Sequence, residues 1–142
     1  MELIRLPNGA RRASKTITFT GAADLGAIGN VPILTVTGEV LVLYIEAFST
    51  TAFGGAGATM ALGVTGSTSL FIGASTMTGW ALEKFWFGVG SFQANGIAVP
   101  AAMKDILITD NIVGTVAVAN VTSGVGRFDV LWVPLSSDGL VA

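Results

Sequence analysis

The stretch that decides the fold is residues 38–50, with the sequence GEVLVLYIEAFST. The residues from Val40 to Ile45 are all apolar, and most are β-branched or aromatic, which is typical of a β-strand. Because both alternating sets of side chains are apolar, both faces of this strand should be covered. One face is expected to pack in the core of the chain's own domain. The other predicts contact with a second sheet or with a neighbouring subunit.

Shorter strand patterns occur on both sides of this stretch. Residues 15–20, KTITFT, alternate strictly, with Ile17 and Phe19 on one face. Turn-forming residues separate the other patterns, and Asn95–Gly96 is a typical hairpin turn. Further strands are predicted over residues 31–37, 59–64, 70–74, 85–87, 104–109, 112–119 and 127–134. The expected fold class is all-β: an antiparallel β-sandwich of jelly-roll type with about eight strands and an extended N-terminal arm.

The arm is predicted from charge and from the lack of a sustained period. Residues 1–15 carry a net charge of +3, from Arg5, Arg11, Arg12 and Lys15 against Glu2, whereas the rest of the chain carries −5. A basic arm on an acidic body is typical of partner binding, either to an acidic protein surface or to nucleic acid. An ordinary frayed terminus is the simpler alternative. We therefore divide the chain into an arm, residues 1–15, and a single β-sandwich domain, residues 16–142.

The composition argues for an interface and against catalysis. Only 11% of the residues are charged, about half the usual share, and such a surface usually marks a protein contact. The chain has no His and no Cys, which removes the commonest general base and the thiolate metal sites. The acidic residues are scattered, with no calcium-loop spacing. We expect no enzyme activity, no catalytic residue, no metal and no cofactor.

The aromatic residues supply the rest of the predicted contact site. Residues 85–87, FWF, place large rings on both faces of a strand, so one set should lie outside the core. Candidate contacts with a partner protein or a neighbouring subunit are the four basic residues of the arm and four aromatic residues: Arg5, Arg11, Arg12, Lys15, Trp80, Phe85, Trp86 and Phe87.

Two partner classes are not expected. Base stacking on these rings would need basic residues between them, and only Lys84, beside Glu83, is near, so we predict no nucleic acid partner. Residues 47–82 carry no charge, but half of them are Gly, Ser or Thr, and they form short strand patterns. We therefore predict no membrane partner.

Three segments together resemble a known family. They are ITFTGAADLGAIGN at residues 17–30, LTVTGEVLV at residues 34–42, and FDVLWVPLSSDG at residues 128–139. They resemble small virion structural proteins of tailed bacteriophages, most closely capsid decoration, or cement, proteins. The resemblance implies a β-rich fold, many copies per particle, often as trimers, and terminal arms that reach neighbouring capsid proteins. It implies a place on the outer surface of the capsid, with the major capsid protein and the chain itself as partners.

Besides capsid decoration, two other functions remain open from the sequence. The first is another virion component, such as a head fibre base, a tail-tube protein or a baseplate protein. A carbohydrate-binding module that uses Trp80, Trp86 or Trp132 is the alternative outside the virion.

Overall fold

A computed structural model describes residues 9–142 of the chain, and these residues form an all-β protein. Two short 3-10 turns, Met77–Gly79 and Ala101–Met103, are the only helical elements among them after Ala10. Within the described part, no helix has the length and apolar character needed to cross a membrane. The predicted all-β class with antiparallel sheets is therefore confirmed.

Twelve strands lie within the described residues. They are β1 (Arg11–Thr18), β2 (Gly29–Leu34), β3 (Val36–Thr37), β4 (Val40–Gly54), β5 (Thr59–Val64), β6 (Ser67–Thr76), β7 (Phe85–Gly88), β8 (Ser91–Gln93), β9 (Lys104–Ile108), β10 (Ile112–Ala117), β11 (Ser123–Pro134) and β12 (Leu140–Val141). The predicted strand at residues 59–64 is confirmed to the residue.

The strands form two main antiparallel sheets. The β4 sheet has the order β1-β11-β4-β7-β8, and β9 also pairs with β4. The β5 sheet has the order β2-β10-β5-β6, and β3 pairs with β12 in a small third sheet. The long pair β4–β11 is the centre of the first sheet, because both strands exceed ten residues and run side by side from Val40 to Gly54.

A β-bulge lies in the first half of β4. Trp132 pairs with Val42, but the preceding residue of β11, Leu131, pairs with Tyr44, so Leu43 is an extra residue. The buried side of β4 consequently carries Val42 and then Ile45, three positions apart, instead of every second residue. The two alternating sets of apolar residues in the sequence therefore do not correspond to the two faces of the strand.

The core is one hydrophobic cluster to which both main sheets contribute. Its largest fully buried side chains are Trp80, Trp86 and Phe128. The rings of Phe53 and Trp80 stack with their centroids 4.2 Å apart. Trp80 Nε1 donates to the carbonyl of Lys84 at 2.7 Å, and Trp86 Nε1 donates to Ser75 Oγ at 3.0 Å. Both indole N–H groups are satisfied inside the domain, as buried polar groups require.

The predicted arm is corrected by the position of β1. Residues 11–15 lie in this strand and pair with β11, from Arg11 opposite Trp132 to Lys15 opposite Phe128. Ala13 is buried, which lets the strand lie flat against the core despite the exposed basic side chains around it. The predicted boundary at residue 15 is therefore wrong. Residues 1–8, which include Arg5, lie outside the described residues.

The predicted hairpin turn at Asn95–Gly96 is also wrong. The hairpin in this region joins β7 to β8, and its turn is Val89–Gly90, where Gly90 has φ +62°. A positive φ is most easily adopted by glycine, and Gly96 also has one, φ +73°. Residues suited to a turn are thus present at both sites, but only Val89–Gly90 has a strand on each side that pairs with the other.

Candidate interaction surface

The outer face of the β4 sheet carries an apolar patch. Five side chains form it: Leu41, Tyr44, Leu107, Leu131 and Val133. In the strand pairing Leu41 lies opposite Val133 on one side and Leu107 on the other, and Leu131 lies opposite Tyr44. Leu107 is 68% exposed and Tyr44 is 37% exposed. Directly opposed residues on one face of a sheet contact one another, so these side chains form a continuous surface.

The patch extends to a shallow groove at the end of the sheet. The groove has a volume of about 280 Å³ and is lined by Glu39, Val40, Leu107, Ile108, Thr109 and Leu135. Leu135, half exposed, adds a further apolar side chain, and Glu39 adds an exposed carboxylate. The outer face is therefore apolar at the end where β4 begins.

The same face becomes charged toward the middle of β4. Arg12, Glu46, Arg127 and Asp129 form a charged cluster across three strands. Arg12 Nη2 lies 2.6 Å from Asp129 Oδ1, Arg127 Nε lies 2.6 Å from Asp129 Oδ2, and Arg127 Nη2 lies 2.9 Å from Glu46 Oε1. Two cations and two carboxylates leave the charged cluster neutral, with Asp129 at its centre.

The two carboxyl groups of the charged cluster have pKa values that move in opposite directions. Burial opposes the ionisation of Asp129, but hydrogen bonds from Ser14, Arg12 and Arg127 outweigh it and lower the pKa of Asp129 to about 2. Burial raises the pKa of Glu46 above its ordinary value, because its single bond to Arg127 compensates less. Asp129 is therefore the member of the pair that stays ionised to lower pH.

Aromatic rings border the charged cluster. The Arg127 guanidinium lies over the ring of Phe48, 5.2 Å from its centroid, and that ring packs against Phe85 at 4.8 Å. Beyond these rings, β4 has no strand partner at Ile45 and Glu46 on the edge that faces β7 and β9. A cavity of about 230 Å³ lies at this gap, lined mainly by apolar residues: Ile45, Glu46, Ala47, Phe85, Trp86, Phe87, Asn95, Gly96, Ile97, Val99, Pro100 and Met103.

The structure separates the predicted contact residues. Arg12 and Phe85 lie on the outer face, at or beside the charged cluster, and Phe87 is half buried at the cavity. Arg11 is exposed and its guanidinium lies 5.5 Å from the centroid of the Trp132 ring. Lys15 is exposed at the side of the domain, near Pro32 of β2.

Trp80 and Trp86 are corrected from contact residues to core residues. Both are 0% exposed, because the inward direction of β7 falls on Trp86 and the aromatic cluster encloses Trp80. Trp132 is also buried, at 2% exposure, and its Nε1 has no hydrogen-bond acceptor among the described residues. The carbohydrate-binding interpretation of these three residues is therefore wrong, since none of the indole rings is available to stack on a sugar.

Sequence reasoning missed the residues of the apolar patch. The one signal for them was the apolar character of both sides of residues 40–45, which predicted a second covered face without naming its members. Leu107, Leu131 and Val133 carry no local signal of exposure, because each lies in a short run of apolar residues, 106–108 or 130–133.

The charged residues are distributed unequally between the two sheets. The strands of the β4 sheet carry Arg11, Arg12, Lys15, Glu46, Lys104, Asp105, Arg127 and Asp129, whereas the four strands of the β5 sheet carry none. Within residues 9–142, no group of three or more His, Cys, Asp or Glu side chains is placed to hold a metal ion. No protein-family model, no curated protein and no solved structure matches this chain.

Proposed function

We propose that this chain is a non-enzymatic structural protein of a tailed-phage particle, which decorates and stabilises the capsid by binding the shell of major capsid protein as an oligomer. The observation that carries the proposal is the apolar patch on the outer face of the β4 sheet, together with the resemblance of three sequence segments to cement proteins. An exposed apolar surface with a charged border is typical of a protein contact site.

The proposed mechanism is stabilisation by mass action. A protein that binds the assembled shell and not its separated subunits shifts the equilibrium toward the shell. Burying one leucine side chain contributes about 1.5–3 kcal/mol, so the five members of the apolar patch are enough for a weak individual contact. Several such contacts within an oligomer add up through avidity. Strong binding then requires the assembled lattice.

We also propose that the domain is a β-sandwich of jelly-roll type. In a jelly roll, eight strands form one long antiparallel hairpin that is wrapped around the core, so that the first strand pairs with the eighth, the second with the seventh, and so on. Four observed pairs support this: β1 with β11, β2 with β10, β4 with β7, and β5 with β6. The strands β3, β8, β9 and β12 are additions to that scheme.

The oligomer is proposed to be a homo-oligomer, with a trimer as the expected form. The β5 sheet supports self-association, because its strands carry no charged residue and a second copy can pack on it without desolvating a charge. The trimer is what the resemblance to cement proteins implies. Residues 1–8 are proposed to reach neighbouring capsid proteins on the shell. A head fibre base, a tail-tube protein or a baseplate protein is the alternative place within the virion.

The first test is the copy number of the chain in purified virions, measured by quantitative mass spectrometry against the major capsid protein. A ratio of order one supports decoration of the whole shell. A ratio of a few per hundred moves the protein to the tail, a vertex or a fibre, and its absence from the particle contradicts the proposal.

The second test compares two exposed apolar residues by capsid sedimentation. Leu107→Asp places a charge in the apolar patch, and we expect it to weaken shell binding at least about tenfold, since burying an unpaired charge is costly. Leu82→Asp is the matched control, because Leu82 is 54% exposed and lies between β6 and β7, outside both main sheets. Equal binding by the two variants would place the contact elsewhere.

A further inference from the structure

We infer that Ile28 and Val118, at one end of the domain, form the contact through which two copies of this chain associate. We call this pair the apolar tip. The inference rests on the proposed function in one respect, since it names the residues that carry the self-association proposed there. The observation behind it is a strained backbone at an exposed apolar residue.

Val118 has a backbone conformation that valine rarely adopts. It follows β10 directly, its φ is +71°, and the N–H of Ala119 donates to the carbonyl of Ala117 at 2.8 Å across it. A bond between residues two positions apart with this φ defines a classic γ-turn, which is rare and strained. A left-handed φ is an outlier for a β-branched residue. Glycine or asparagine would adopt it at lower cost.

The structure on both sides of Val118 holds this turn in place. Before it, the pairing with β5 continues to the last residue of β10. After it, Asn120 Oδ1 accepts from the N–H of Ile28 at 3.0 Å, and the N–H of Val121 donates to the carbonyl of Gly26 at 2.8 Å. Strained residues persist only where the surrounding structure fixes them, and they are concentrated at functional sites.

The turn presents its side chain to solvent instead of burying it. Val118 is 76% exposed, the highest value of any large apolar residue in the described part of the chain, and Ile28 is 60% exposed. The hydrogen bond to Asn120 ties the two loops together, so both side chains lie at the same end of the domain. Core packing does not account for valine at this position, and we expect contact with another molecule to account for it.

The lack of charge around the apolar tip favours a second copy as that molecule. Residues 25–30 and 117–123 carry no charged side chain, and neither do β2, β5 and β10, which reach the tip. Groups near the axis of a symmetric oligomer face their own copies, so charges there would repel each other. The apolar patch of the β4 sheet differs, because exposed Glu39 and Asp105 border it. The tip continues the β5 sheet, the surface already proposed for self-association.

The strain at Val118 is useful in such a contact. The γ-turn fixes the backbone and a valine side chain is stiff at χ1, so little conformational entropy is lost when the tip is buried. The same strain lowers the stability of a single copy. Relieving it should therefore stabilise the fold and weaken the association in the same variant.

Val118→Asn tests this opposition, because asparagine accepts a left-handed φ and removes the apolar side chain. We expect the thermal midpoint of the single copy, measured at low concentration, to rise by about 3 °C or more. Sedimentation equilibrium between about 10 μM and about 1 mM measures the association of the copies. We expect the association constant to fall at least about tenfold, since one valine side chain is no longer buried in the contact.

Two further variants separate the contact from the strain. Ile28→Asn should weaken the association by a similar factor without raising the thermal midpoint, because the φ of Ile28 is not positive. Leu135→Asn is the matched control and should change neither quantity. Leu135 is half exposed and lies at the opposite end of the domain, just after β11.

Three results would overturn the inference. The first is a chain that sediments as a single copy up to about 1 mM. The second is a Val118→Asn variant that associates as strongly as the original chain. The third is a variant that keeps the association but binds capsids less, because the tip would then contact the shell. Self-association is measured without any particle, so it can fail while the chain still binds capsids, and capsid binding can fail while the copies still associate.

Discussion

The two faces of β4 have similar sequences and different environments. The inner face carries Val40, Val42, Ile45 and Ala47, all fully buried in the core. The outer face carries Leu41 and Tyr44 beside exposed Leu107, followed by the charged cluster around Asp129. The hydrophobicity of the side chains alone does not distinguish the inner face from the outer face. The difference teaches that apolar side chains on one strand can serve folding on one face and recognition on the other, and that substitutions should separate the two roles.

The largest expected effect is on the inner face. Ile45→Ala removes a buried side chain that sits between both sheets, and we expect it to lower the free energy of unfolding by about 2–5 kcal/mol. Urea denaturation followed by tryptophan fluorescence measures this. Leu41→Ala, on the outer face of the same strand, is the control, with an expected loss below about 1 kcal/mol. Similar losses for the two variants would remove the distinction between the faces.

The next effect concerns the charged cluster. Asp129→Asn leaves Arg12 without its carboxylate and Arg127 with Glu46 alone. We expect a loss of about 1–2 kcal/mol in unfolding free energy, less than for a fully buried pair because the arginine side chains are partly in water. Arg12→Gln is the control, since Arg12 is largely exposed and should cost about 0.5 kcal/mol or less.

The dependence of stability on pH gives a second measure of the contribution of Asp129. The pKa of Asp129 is about 2 in the folded chain, below its ordinary value of 3.8, so its stabilising effect is complete above pH 4 and is lost as the pH falls from about 4 to 2. We expect this loss to be about 1 kcal/mol after screening by solvent. Asp129→Asn should reduce it.

Glu46 provides the opposite trend. Its pKa is raised in the folded chain, so its protonated form favours folding at low pH, and that contribution is lost as the pH rises through its folded-state pKa. We expect Glu46→Gln to remove a decrease in stability above pH 4.5 and to leave the loss below pH 4 in place. Thermal unfolding across pH 2–7 checks both variants, and identical profiles would contradict the assignment.

The smallest effect is expected in the apolar patch. Leu107→Ser changes a side chain that is 68% exposed, and we expect the free energy of unfolding to change by about 0.5 kcal/mol or less. Ile108→Ser, one residue further along β9, is the counterpart, because Ile108 is buried and an unpaired hydroxyl there should cost about 3 kcal/mol. A large effect at Leu107 would mean that this side chain serves folding.

Local sequence patterns predicted the all-β class and most strands. The strand at residues 59–64 was exact, and the strand starting at Ile112 ended only two residues earlier than predicted. The patterns failed where pairing is non-local. Asn95–Gly96 has turn chemistry but no partner strand after it, and β1 begins at Arg11 because Ala13 meets Val130 of β11. Val130 is more than a hundred residues from Ala13 in the chain, so no local pattern indicates this pairing.

The candidate surface was predictable only in outline. Two-sided hydrophobicity at residues 40–45 indicated a second covered face, and alternation placed Trp86 and Phe85 on opposite sides without saying which side was inward. The apolar patch depends on β9 and β11 lying on either side of Leu41, and no local pattern states this. The charged cluster likewise combines three strands that are far apart in the chain.

The bulge at Leu43 has a consequence for how this strand tolerates insertions and deletions. Losing one codon from Val40 to Val42 would invert the side chains that follow, turning Glu46 and Phe48 toward the core and Ile45 and Ala47 toward solvent. Losing the codon for Leu43 would instead leave Val42 and Ile45 two positions apart, the spacing of a regular strand with both on the same face. Among related sequences, changes of length in the first half of this strand should therefore concentrate at Leu43, and two further register shifts between Ser49 and Gly54 offer the same tolerance in its second half.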